Sequence, residues 1–180
     1  SALYTSLMAR AAETAEIIAG AVGHHEAVSD CDFCEHHPGE ADGISWAEAD
    51  RLYPPAADWE PDGRRVPGAE TWREMSLRVA RGLDTVAQRH RGGTVVIVCH
   101  GGVIVHSLIR WLGLEPNARA GGRGRLDPVN TSITEWCLLG DRNSCGAQDV
   151  RLERFNDHAH LSGSRDGTGE RRAPVPDRRP

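Results

Sequence analysis

The segment at residues 94–99, Thr-Val-Val-Ile-Val-Cys, limits this 180-residue chain more than any other. Five successive β-branched residues resist helix and favour a pleated strand. A run with no polar alternation predicts a strand buried on both faces, the kind enclosed by helices in a parallel sheet. His100-Gly101-Gly102 follows it directly. A helix is then predicted over 102–112, with Gly113 closing it. Upstream, Trp72, Met75, Val79, Leu83 and Val86 form one apolar stripe, so a helix is expected over 70–89 until Gly92-Gly93 stops it.

Other segments are read by the same periodicities. Residues 3–6 read as a strand end. Residues 11–22 read as a helix with Ala15, Ile18 and Val22 on one face. Residues 23–68 hold most of the histidines and prolines and read as loop with short elements. Further strands are expected at 131–138 and 149–155. Residues 162–180 contain no aromatic residue and one valine. Such a segment cannot bury enough surface to offset its ordering entropy, so a disordered tail is expected after a single domain at 1–161.

Composition narrows the function classes. A net charge of −5 gives no reason to expect nucleic acid as a partner, because an acidic surface repels the phosphate backbone. No apolar run reaches membrane-spanning length and no leader peptide is visible, so no membrane contact and a cytoplasmic location are expected. All 21 basic residues are arginine. A P-loop lysine and a Schiff-base lysine are therefore excluded. Any bound phosphate must be held by Arg, His and backbone N–H groups, and the guanidinium fork suits that task.

His100 sits where open α/β sheets place ligands, at the carboxyl end of a strand. The helix after it aims its free N–H groups at the same spot, a ready anion site. The bland alternative is a core histidine satisfied by a carbonyl. Arg10 lies at a second strand-to-helix junction, after Thr5-Ser6, where it could meet phosphate bidentately or simply be solvated. Glu70 follows Pro67-Gly68-Ala69 at a helix start. There it either complements the helix dipole or, beside a phosphate, has a raised pKa and exchanges protons. Cys31-x-x-Cys34 with His36 and His37 has ligand-like chemistry for zinc. Yet His36 is two residues past Cys34, no second pair follows at finger spacing, and only the distant Cys145 offers a fourth ligand. A cysteine-containing loop at the cleft mouth is the preferred reading, with no metal and no cofactor. Cys99 reads as a buried free thiol. Residues 119–125, with three arginines among glycines, read as a flexible connector.

Taken together these features resemble the histidine phosphatase superfamily, the phosphoglycerate-mutase-like enzymes. Ser6, Arg10, Ala11, Thr14 and Ala15 match the pattern S-x-x-x-R-A-x-x-T-A. Gly68-Ala69-Glu70-Thr71 matches a G-E-S-type motif with one residue inserted. Residues 95–102 match the strand-H-G-G motif, an acidic turn is present at Glu35 with Gly39 and Gly43, and Asn156-Asp157 with His160-Leu161 resembles the closing strand. The likeness covers roughly residues 3–161. It implies an α/β three-layer sandwich with a mostly parallel central sheet and a small phosphorylated substrate. It implies phosphoryl transfer through a phosphohistidine. His100 would stabilise charge on the phosphoryl group, Arg10 and Gly101 would bind the phosphate, and Glu70 would be the acid and base.

The family's nucleophile lies in a first strand ending in Arg-His-Gly, and this sequence contains no such triplet. His24-His25 and His36-His37 lack the preceding strand and arginine. The chain is therefore expected to lack the first strand of the sheet and to be inactive on phosphomonoesters. A non-catalytic phosphate-binding module is the alternative. Neither the particular phosphoester nor the oligomeric state can be read from these residues.

Overall fold

The computed structural model describes residues 1–24, 26–54, 60–114, 126–139 and 149–163. It divides into two compact units, residues 1–127 and 128–180.

The first unit is built on a parallel sheet. Strand β1 (Ala2–Thr5) lies between β2 (Val28–Ser29) and β3 (Val95–Val98). β1 pairs with β3 in parallel, Ala2 opposite Val95 and Thr5 opposite Val98. Helix α1 (Ala9–Ala19) connects β1 to β2, and a long excursion with α2 (Trp46–Leu52) and α3 (Trp72–Arg89) leads to β3 and then α4 (Gly101–Leu112). Alternation along the strands sends Ala2, Tyr4, Val95, Ile97 and Cys99 to one face. There they pack with Phe33, Met75, Val79, Leu83, Val86 and Val103, so α3 and α4 cover that face. On the other face Thr5 meets α1 across a cavity of about 280 Å³ shared with Ala12, Glu16, Ala19 and Ser29. The result is the expected three-layer α/β arrangement.

Several boundaries differ from the sequence reading for physical reasons. The inner face of α1 is Ala11, Ala15 and Ala19, while Ile17 is 82% exposed. Small side chains at i, i+4 and i+8 bring this helix close to β1, so Ala15 of the expected stripe is fully buried while Ile18 and Val22 flank the contact half-buried. The helix starting at 70 begins instead at Trp72: Thr71 caps it and Glu74 returns the bond to Thr71 N–H, a capping box. The dipole-complementing acid is thus Glu74, and Glu70 is released from that role. β3 was expected to be buried on both faces, yet all four of its residues are half-buried. The reason is lateral: β3 forms one edge of its sheet, and among the described residues nothing pairs with its open side. β2 and α2 are among the short elements expected within the loop stretch at 23–68.

The second unit is a hairpin of β4 (Ile133–Leu139) and β5 (Asp149–Asp157), antiparallel, with Trp136 opposite Leu152. The Arg154 guanidinium meets Glu135 across the pair at 2.9 Å. The expected tail beyond Gly163, the connector at 119–125, Cys145 and His25 lie outside the described residues, while Ser162 and Gly163 belong to a 3-10 turn over Ala159–Gly163. Among the described residues, no helix is long and apolar enough to cross a membrane.

Candidate functional site

Parallel pairing of β1 and β3 sets their carboxyl ends side by side, and Ser6 N–H extends the ladder to the Val98 carbonyl at 3.1 Å. Ser6 and His100 are consequently neighbours although 94 residues apart, with Ser6 Oγ 2.8 Å from His100 Nε2. Ser6 is fully buried and His100 is 8% exposed. Ser6 Oγ also accepts from Met8 N–H at 3.0 Å and donates to Cys34 Sγ at 3.5 Å. Burial lowers the His100 pKa, the Arg10 charge lowers it further, and Glu35 opposes them.

Arg10, the second residue of α1, is exposed, and no described residue pairs with its guanidinium. Its field nevertheless reaches His100. An unpaired cation beside a neutral histidine at two strand ends leaves room for an anion. His100 also serves as the N-cap of α4. The helix terminus expected to receive phosphate is partly filled from within: Gly102 N–H donates to Glu35 Oε2 at 3.1 Å. A Cβ on Gly102 would stand 2.1 Å from Glu35 Oε1, so only glycine lets this carboxylate approach. Gly101 N–H has no acceptor among the described residues. With Val103 N–H it is one of two backbone donors in that first turn that lack an acceptor among the described residues.

Glu70 occupies a different environment from the one foreseen. Its carboxylate is buried against Arg78, which donates from Nε to Oε1 and from Nη2 to Oε2, each at 2.7 Å. Burial pushes the Glu70 carboxyl up, but the Arg78 bonds and charge, with His37 N–H, outweigh it and hold the group below its ordinary value. The raised pKa expected beside a phosphate is therefore not found. The same guanidinium donates from Nη1 to the carbonyls of Cys31, Asp32 and Cys34, at 2.7, 3.2 and 3.0 Å. Arg78 thus ties the start of α3 to the whole 31–35 loop.

That loop bears on the site in two ways. Cys34 Sγ stands 3.5 Å from Ser6 Oγ. Cys31, Cys34 and His37 also bring their ligand atoms within 4.8 Å of one another. His36, named with His37 as a ligand candidate, instead donates from Nε2 to the Glu70 carbonyl at 2.5 Å. Cys99 is half-buried, and desolvation pushes its thiol up to about 12, in keeping with an inert core thiol.

The histidine phosphatase superfamily (branch 1) sequence model matches residues 1–148. The chain belongs to this superfamily. It is 33% identical over 147 residues to phosphoglycerate mutase-like protein 4 of Arabidopsis thaliana, covering 79% of this chain and 61% of that protein. A metal-independent phosphoserine phosphatase of the same plant is 31% identical, covering 89% and 63%. The chain therefore spans a little over three fifths of these relatives. Among solved structures, YhfR of Bacillus stearothermophilus superposes with a TM-score of 0.64 at 28% identity, covering 84% of this chain and 72% of that one. A mycobacterial glucosyl-3-phosphoglycerate phosphatase gives 0.63 at 26%, covering 86% and 76%.

Within this chain the Arg10 charge acts on His100, which caps the helix that Gly101 starts, while Glu70 is held in its ion pair with Arg78. Sequence reasoning gave Ser6 no role and passed over Arg78. A signal for Arg78 existed: it falls between Met75 and Val79 on the apolar stripe of α3, and a charge at a buried helical position needs a partner. Glu35 was recognised only as part of an acidic turn. Its contact with Gly102 spans 67 residues and carries no local signature.

Proposed function

We propose that this chain is the phosphate-clamping portion of a phosphomonoester hydrolase that works through a phosphohistidine. One domain over 1–161 provides the clamp. The observation that carries the reading is buried His100 bonded to Ser6 at the ends of two parallel strands, with the charge of Arg10, at the start of α1, acting on it. Arg10 and Gly101 N–H hold phosphate oxygens. His100, neutral when empty, shares its charge with the phosphoryl group as negative charge accumulates. The relatives' names, phosphoserine phosphatase and glucosyl-3-phosphoglycerate phosphatase, favour small phosphorylated metabolites as substrates. Glu70 acts as proton donor only once Arg78 lets go of it; in its present pairing it is a fixed anion.

His100 itself is a poor nucleophile, because its Nε2 is engaged by Ser6 and attack must come in line with the leaving oxygen. The attacking histidine belongs to an Arg-His-Gly strand that these 180 residues do not contain. The test has two arms. The purified chain should bind inorganic phosphate, with Arg10→Ala weakening binding roughly 10- to 100-fold, the worth of charge-assisted hydrogen bonds. It should not turn over an aryl phosphate until a strand ending in Arg-His-Gly from a relative is fused ahead of Ala2, which should raise the rate by orders of magnitude. Robust turnover by the unfused chain would overturn the proposal. Phosphate binding with no gain from the fusion would favour the non-catalytic module.

A further inference from the structure

The geometry points to a zinc site formed by Cys31 Sγ, Cys34 Sγ and His37 Nε2 at the edge of the first unit. It stands independently of the phosphate-clamp reading, since none of its three ligand atoms is needed to hold phosphate. Zinc takes thiolate sulfur at about 2.3 Å and imidazole nitrogen at about 2.0–2.1 Å in a tetrahedron, so ligand atoms around one ion lie about 3.5–3.8 Å apart. Cys31 Sγ and His37 Nε2 are already 3.5 Å apart. All three atoms lie within 4.8 Å of one another, so closing on an ion takes side-chain shifts of about 1 Å. Two sulfurs and one imidazole select a borderline-soft cation over magnesium or calcium. Solvent takes the fourth position.

The loop is prepared for this role. Residues Cys31–Phe33 form a tight 3-10 turn, capped by the Asp30 side chain on Asp32 N–H and closed by Cys34 N–H on the Cys31 carbonyl. Arg78 gathers the Cys31 and Cys34 carbonyls from behind, and Arg81 grips Asp32 at 2.5 Å. His37 is fixed through its backbone, with its carbonyl accepting from Glu70 N–H at 2.8 Å. Such second-layer bonds hold ligands in place before the ion arrives and lower the ordering cost of binding. Gly82 lets α3 press directly on this turn, since a Cβ there would meet Asp32 Cβ at 2.6 Å. Cys34 is buried and Cys31 exposed, which places the ion half-sunk at the surface with a route of entry.

A structural role follows from position. Glu35, which holds the start of α4 beside His100, lies between Cys34 and His37 in sequence. An ion bridging 31, 34 and 37 pins that carboxylate without touching phosphate.

The test uses the full chain, reduced and stripped by chelator. Titration with Co2+ should produce thiolate-to-cobalt charge-transfer absorption, and Zn2+ should displace the cobalt at one ion per chain. Cys31→Ser and His37→Gln should each weaken zinc by about 100-fold or more, at least what loss of an outer-layer partner costs. His36→Gln should bind as the parent does. Zinc should raise the melting temperature of the parent but of neither ligand variant. Cobalt absorption absent from the reduced chain would overturn the site. So would zinc held equally by the parent and both ligand variants, or lost with His36→Gln. A Cys31–Cys34 disulfide in the isolated protein, with no metal bound after reduction, would identify the pair as a redox couple instead and also overturn it.

Discussion

His106 offers the sharpest quantitative test, because its burial and its missing partner both bear on one proton. It is 1% exposed on the inner side of α4, with its ring 4.2 Å from that of Trp72. Ser76 Oγ lies 2.8 Å from Nδ1, while Nε2 is buried with no hydrogen-bond partner. Protonation would create a buried cation with an N–H that has no acceptor. Burial accordingly lowers the pKa to about 4, with Arg78 and His36 adding to the effect and Glu35 and Glu70 opposing it. The unfolded histidine titrates near 6.5. Between about 6.5 and 4 the unfolded chain therefore binds more protons, and stability falls as pH falls through that window. A shift of this size corresponds to about 3 kcal/mol once complete, with about 2 kcal/mol already lost at pH 5. For a chain of this length 2 kcal/mol is a melting-temperature drop of about 4–8 °C. His106→Asn retains a polar atom for Ser76 but cannot titrate. Melting curves of parent and variant from pH 7.5 to 4.5 should converge as pH falls, because the parent alone loses this term. Parallel curves across that range would refute the account of His106.

Two further perturbations probe how the site is held. Gly102→Ala places a Cβ against Glu35 Oε1 and 2.8 Å from Met75 Cε, so Glu35 must leave the start of α4. Overpacking and the lost bond outweigh alanine's helix preference by about 1–2 kcal/mol, and the urea midpoint should fall; an unchanged midpoint would show that the Glu35 contact is dispensable. Glu70→Ala leaves the buried Arg78 charge without its carboxylate and should destabilise by about 3–5 kcal/mol, moderated by the carbonyls that Arg78 keeps. Equal stability of Glu70→Ala and parent in chemical denaturation would return Glu70 to a purely chemical role.

What could be read from the sequence was local and periodic. The β-branched run at 94–99, the stripe from Met75 to Val86 and the Gly113 stop are short-range signals, and β3, α3 and α4 fall where these place them. The motif residues Arg10 and His100 were legible as chemistry because each sits at a strand-to-helix junction, and junctions are where α/β sheets bind ligands. Partnership was not legible. Whether Glu70 faces a phosphate or a guanidinium is decided by Arg78 eight residues later, and whether His37 or His36 joins the cysteines is decided by a carbonyl on a distant turn. Pattern reports which face of an element is apolar. It does not report which charge from another element arrives there, because long-range contacts are selected by packing geometry with no sequence period. The residues of this chain alone thus determine an α/β sheet with histidine and arginine at its strand ends. Only the tertiary structure decides which of its charged groups stand free for a ligand and which already neutralise one another.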